Sequence, residues 1–163
     1  MLVRLPQPYD FALSTERFRA FGADRANLWH EGGLHRVVSG REVRIEAARC
    51  CSDAPAEPAH RAAGAPSSLR PCGVEVAPLD AETEPVVRRL LGAPFELGPF
   101  YAFAAGEPVL AELVTRLAGF RPPLAPDPFE ALVTSICAQQ VSLFSAFAIR
   151  NRFVERYGEP GRL

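Results

Sequence analysis

Lysine is missing from this chain, whose 18 basic residues are all arginine. GC-rich codon usage accounts for that bias more readily than a need for forked phosphate contacts, although arginine can make them. An excess of charge of either sign is missing too. With 19 acidic residues and a net charge of −1, the molecule as a whole does not attract polyanions, so any contact with one has to come from local arrangement. Cysteine is scarce and poorly spaced for metal. Cys50, Cys51, Cys72 and Cys137 include no C-x-x-C pair and have no histidine at ligand spacing, which excludes the common zinc patterns and leaves Cys137 as small core filler. No apolar run approaches the roughly 18 residues that cross a membrane, and Met1-Leu2-Val3-Arg4 lacks the apolar centre of a signal peptide. A soluble, cytosolic protein is expected. What is present is 163 residues, 48% of them hydrophobic, enough for one full domain or one and a half small ones around a core.

The first half alternates. In PYDFALS, from Pro8 to Ser14, Tyr9, Phe11 and Leu13 take every second place, which predicts a half-buried strand. Ser14 or Thr15 then caps a short helix, TERFRAFG, with Phe18 and Phe21 three apart and Gly22 at its end. ANLWHEG, LHRVVS and REVRIEAA follow as a β-meander, the last with Val43, Ile45 and Ala47 opposite Arg44 and Glu46. Ser39-Gly40 supplies a tight turn, Gly32-Gly33 punctuates the earlier pair, and GVEVAP from Gly73 is the closing strand. Trp29 is assigned to the sheet's core face as the larger apolar area, with Leu28 competing for that side, and His35 reads as exposed. The segment 50–72 is dense in Ala, Pro and Ser without apolar periodicity and reads as a mobile loop carrying a solvated His60.

From Asp80 the period becomes helical. Asp80, Glu82 and Glu84 cluster where carboxylates oppose the positive end of a helix, so they read as capping charges rather than an acid/base pair. PVVRRLLG, a segment from Phe100 to Phe103, and EPVLAELVTRLAGF with Leu110, Leu113 and Leu117 on one side make further helices. RPPLAP, from Arg121, is a stiff connector.

The stretch from Asp127 to Gly158 carries the strongest local signals. Asp127 can cap a helix, Pro128 suits its first position, and Glu130 sits where a capping-box carboxylate reaches back. Phe129, Leu132, Val133 and Ile136 fall at i, i+3, i+4 and i+7, a stripe that calls for a core. Ala138-Gln139-Gln140 interrupts it. Ser142 caps a second helix bearing Leu143, Phe144, Phe147, Ala148 and Val154, with Arg152 and Arg156 near its negative end and Gly158 placed to close it in a left-handed conformation. Two helices thus share one polar elbow.

PFEALVTSICAQQVS followed by a helix ending in ERYGE resembles the opening of the helix-hairpin-helix DNA glycosylase (HhH-GPD) superfamily, nearest to its 3-methyladenine DNA glycosylase II type. PYDF, the W-x-x-x-G region and GVEV resemble that family's N-terminal sheet, which supports the catalytic domain. The resemblance implies an α+β fold: an antiparallel sheet domain with flanking helices at 1–78, then the first helices of an all-α domain at 79–163. It implies that Gln139, Gln140, Val141 and Ser142 enter the minor groove of double-stranded DNA containing a damaged base, with Gln140 filling the gap left by a flipped nucleotide. A wedge is needed because extrusion costs about a few kcal/mol of stacking and pairing. The family removes alkylated purines by hydrolysis, without metal or organic cofactor, through an aspartate and a glycine-rich hairpin that follow the stretch matched here. On that resemblance both are expected beyond Leu163, and no residue of the chain is assigned a catalytic role. The chain is therefore expected to be the N-terminal part of such an enzyme, inactive alone and with unpartnered apolar helix faces. A cytoplasmic, nucleoid-associated location and no obligate protein partner are expected with it. A non-catalytic DNA-binding module, or an α+β interaction domain unrelated to DNA, are the alternatives.

Overall fold

The computed structural model describes residues 1–48 and 73–158. The readings placed on 50–72, on His60, Cys50, Cys51 and Cys72, and on the chain after Gly158 lie outside those residues. So does Leu163, and with it the expectation that a catalytic aspartate follows it. In chain order the elements are β1 Leu2–Arg4, α1 Phe11–Thr15, α2 Arg17–Ala20, β2 Leu28–His30, β3 Gly33–Val38, β4 Arg41–Ala47, β5 Gly73–Ala77, α3 Thr83–Leu90, α4 Leu97–Ala104, α5 Pro108–Arg116, α6 Pro128–Cys137 and α7 Leu143–Tyr157. This is an α+β fold. The five strands form one antiparallel sheet in the order β1-β5-β4-β3-β2.

The β3–β4 hairpin forms where the alternation predicted it, because Ser39 and Gly40 adopt left-handed φ values of 49° and 77°, matching the twist of paired strands. Glu31 and Gly32, at 46° and 79°, do the same between β2 and β3, one residue before the predicted Gly-Gly position. Alternation then sends Val43 and Ile45 fully into the core while Arg44 and Glu46 pair on the outer face. Trp29 faces the core and stands 5.9 Å from the Phe11 ring, leaving Leu28 exposed. α3 closes the same core with Val87, Leu90 and Leu91. At its start Asp80 accepts from the Thr83 amide at 2.8 Å, as the charge cluster implied.

Several expectations fail, the first of them in the opening segment. PYDFALS is not a strand. Asp10 accepts from the Leu13 amide at 2.9 Å and caps a helix whose Phe11, Ser14 and Thr15, at i, i+3 and i+4, form its buried face. The two hydroxyls are buried because they are satisfied: Thr15 donates to the Phe11 carbonyl at 2.6 Å, and Ser14 accepts from the Arg121 amide at 3.0 Å. Neither is therefore free to cap α2, which begins after Glu16 without a side-chain cap. The edge strand that does open the fold is Leu2–Arg4, too short to show a period. His35 is largely covered rather than exposed, its Nδ1 lying 2.6 Å from Glu42. Gly158 ends α7 in an extended conformation, with φ −72° and ψ 132°, and not in a left-handed one.

The connector after α5 is anchored as well as stiff. Arg121 is buried and donates to the Phe95 carbonyl, and Arg89 donates to the Ala125 carbonyl at 2.9 Å. Gly119, at φ +85°, accepts at its carbonyl from the Asp10 amide at 2.8 Å, and a Cβ there would meet that nitrogen at the same 2.8 Å. The approach of α1 to the helical layer therefore requires glycine. Among the described residues no helix is long and apolar enough to cross a membrane.

Candidate nucleic-acid interface

The elbow begins with two well-made caps. Asp127, extended at φ −134°, accepts from the Glu130 amide at 2.9 Å, and Pro128 opens α6 where its missing N–H is not needed. At the other end the Ala138 amide reaches the Thr134 carbonyl at 3.1 Å and the Gln139 amide reaches Ile136 at 3.2 Å, tightening the last turn. Gln140 then adopts φ +57°. A left-handed non-glycine residue costs on the order of 1 kcal/mol and recurs where a site over-determines the backbone. Ser142 accepts from the Ser145 amide at 3.2 Å and starts α7. Gln139, Gln140, Val141 and Ser142 are all exposed, so the four residues singled out in the sequence stand together on an open corner.

What holds that corner is polar and was not visible in the pattern. Glu130 does not reach back to its own cap. It is 3% exposed and paired with Arg36 of β3, whose Nη1 also donates to Asn27 Oδ1 at 2.7 Å. Arg150 of α7 is paired with Asp24, which is 1% exposed and accepts from the Ala26 amide at 3.0 Å. Asn151 adds a two-way clasp, accepting from the Arg25 amide at 3.0 Å and donating to the Ala23 carbonyl at 2.6 Å, while Arg25 pairs with Glu155 at 2.7 Å. The contacts that tie α6 and α7 to the first part of the chain join residues 94 and more apart in sequence, beyond any local rule. Buried pairs of this kind fix geometry more surely than they add stability.

Turning Glu130 inward turns the apolar stripe outward. Phe129, Leu132 and Ile136 are 55%, 58% and 58% exposed, so the face expected to meet a core meets solvent. Leu143, Phe144 and Ile149 of α7 are exposed as well, and α5 has no buried residue among its nine. Cys137 is a free thiol and only half-covered, where a buried filler was expected. Unpartnered apolar faces are, however, what the sequence reading implied for the last two helices.

Behind α6 lies a cavity of about 290 Å³, near the lower end of the range for ligand pockets. Its wall includes Phe18 and Arg17 of α2, Leu90 of α3, Thr134 and Ser135 of α6 and Arg150 of α7, and it runs up to Ala138, next to Gln139. Glu130 is the one carboxylate on this wall among the described residues, and both its oxygens are taken by Arg36. Burial first, and the charge of Arg150 second, pull the Arg17 guanidinium below its ordinary pKa, with Asp24 opposing.

No family model matches the chain. Over 64 residues it is 36% identical to a DNA-3-methyladenine glycosylase of Bacillus subtilis (strain 168), an alignment covering 39% of this chain and 21% of that protein. Its fold is similar to the structure of a 3-methyladenine DNA-glycosylase from Archaeoglobus fulgidus, with a TM-score of 0.67 and 21% identity over 96% of this chain and 50% of that one. The chain thus spans half the length of its structural neighbour and about a fifth of the curated relative. At that identity the structural likeness carries the α+β fold.

Proposed function

We propose that this chain is the lesion-probing part of a DNA base-excision glycosylase of the helix-hairpin-helix superfamily, 3-methyladenine DNA glycosylase II type. Its partner is double-stranded DNA containing a damaged base. The sheet part at 1–78 supports the helical part at 79–163, and Gln139 to Ser142 enter the minor groove with Gln140 as the wedge that occupies the vacated stack. The observation that carries this is the conformation of Gln140: a left-handed, exposed glutamine at the tip of two capped helices, backed by buried ion pairs and set beside a cavity. Both glycosylase relatives support it.

In the whole enzyme the reaction is hydrolysis of the N-glycosidic bond of an alkylated purine, where a carboxylate stabilises the sugar cation as the base departs. The carboxylates around the elbow are otherwise engaged. Asp127 caps α6, Glu130 holds Arg36, Asp24 holds Arg150 and Glu155 holds Arg25. We infer that these 163 residues recognise and do not cleave.

The test is binding to a duplex with a single abasic site, compared with an undamaged duplex. The chain is expected to prefer the abasic duplex, and Gln140→Ala is expected to weaken that binding roughly five- to thirtyfold, about 1–2 kcal/mol. A Gln140→Ala protein that binds the abasic duplex as well as the parent removes the wedge. Absence of binding by either favours the interaction-domain reading.

A further inference from the structure

Resting on the reading just given, we propose that the apolar stripe of α6 is the docking surface for a second copy of this chain. The pairing covers the elbow from Gln139 to Ser142, so that self-association and entry into DNA exclude each other. The stripe is neutral. Glu130, the one charged residue of α6, is buried against Arg36, and the outward face carries Phe129, Leu132 and Ile136 flanked by the small uncharged Ala131 and Ser135. A duplex is a polyanion and is met by basic side chains, which this face does not have. An apolar protein surface matches it.

A second copy is the partner that fits on three counts. A two-fold pairing sets one patch against itself, and for this stripe that brings no like charges together, while the net charge of −1 gives the whole molecule little self-repulsion. Phe129, Leu132 and Ile136 stand three and then four residues apart, the spacing of a seam along which two helices pack. The area also suffices. Phe129, Leu132, Ile136, Val141, Leu143 and Phe144 are between 42% and 64% exposed. Half-exposed side chains of this size present on the order of 100 Å² each, so the six supply most of the roughly 800 Å² per partner that a standard interface takes.

That size is what closes the elbow. A patch of roughly 800 Å² has a radius of about 16 Å. Gln140 follows Ile136 by four residues and lies within about 14 Å of it even along an extended chain, so an interface centred on the stripe reaches the elbow. The seam spacing leads there too, its next two places being Gln139 and Leu143.

Sedimentation velocity of the full 163-residue chain, with and without a duplex carrying one abasic site, tests the competition. The chain alone is expected to pair as its concentration rises, and the abasic duplex to split the pairs into complexes of one chain per duplex. Phe129→Glu lies at the end of α6 farthest from the elbow, where a carboxylate suits the helix dipole. It is expected to weaken pairing roughly tenfold or more while leaving abasic binding by dilute protein unchanged, and Phe129→Leu to keep both. Hydroxyl-radical footprinting, which needs no DNA, is expected to show Leu132, Ile136 and Leu143 protected together as the chain pairs. A chain that stays monomeric, as it would if a different polypeptide covers the stripe, overturns the inference. So does pairing that protects another face, or a pair that binds the abasic duplex intact. Pairing with the expected footprint but no preference for the abasic duplex upholds the docking surface and overturns the lesion-probing reading.

Discussion

Removing the Glu130 carboxylate is expected to cost about 3–5 kcal/mol, because it leaves the Arg36 guanidinium buried without its counter-charge. Replacing both by methionine is expected to cost much less, since the desolvation penalty disappears with the charges. Urea unfolding of Glu130→Ala and of the double variant checks this, and a single variant within about 1 kcal/mol of the parent would contradict it. Asp80 gives a residue-scale prediction about pH. The Thr83 amide and then the Thr83 hydroxyl hold its carboxyl down to about 2 from 3.8, against a small opposing effect of burial, with Arg41 adding further. The folded pKa lies below the unfolded one, so the stabilisation is complete above pH 3.8 and is lost as pH falls through about 2. The stability difference between the parent and Asp80→Asn is therefore expected to shrink between these limits, and a constant difference would show that Asp80 does not titrate in this way. The capping role of Asp80 was legible in the sequence, since it depends on neighbours two and three residues away. The role of Glu130 was not, since its partner lies on a strand 94 residues earlier.

Caps define the elements that matter most here. Ser142→Ala removes the acceptor for the Ser145 amide and is expected to cost about 0.5–2 kcal/mol, with a larger loss in abasic-DNA affinity than a cap elsewhere produces, because the same residue ends the Gln140 turn. Asp127→Ala serves as the comparison, losing similar stability at the far end of α6. Equal effects of the two on DNA affinity would mean that the elbow does not depend on its own cap. Helix starts and hairpin turns were readable because Asp, Ser, Pro and Gly act on backbone within three or four residues. PYDFALS misled for the same reason. Tyr9, Phe11 and Leu13 satisfy a period of two, and five residues with Phe11, Ser14 and Thr15 on one face satisfy a helix, so only the hydroxyls' partners decide between them.

For the whole molecule the consequence is an uneven surface. The sheet and α3 bury one continuous apolar cluster, whereas α5, α6 and α7 carry large side chains that remain in water. Contiguous exposure of this kind promotes association. Sedimentation is expected to show concentration-dependent self-association that Leu132→Glu combined with Ile136→Glu reduces without lowering the melting temperature. A parent chain that stays monomeric at high concentration would contradict it. The sequence by itself determined the sheet's inward face, the starts of α6 and α7 and the polar break at Gln139 to Ser142, because alternation, capping and turn chemistry are short-range. Only the tertiary structure decided which face of α6 turns inward, because burying Glu130 against Arg36 satisfies a charge that the apolar stripe could not. That choice exposes Phe129, Leu132 and Ile136 and sets Glu130 on the wall of the cavity that Thr134, Ser135 and Ala138 also line.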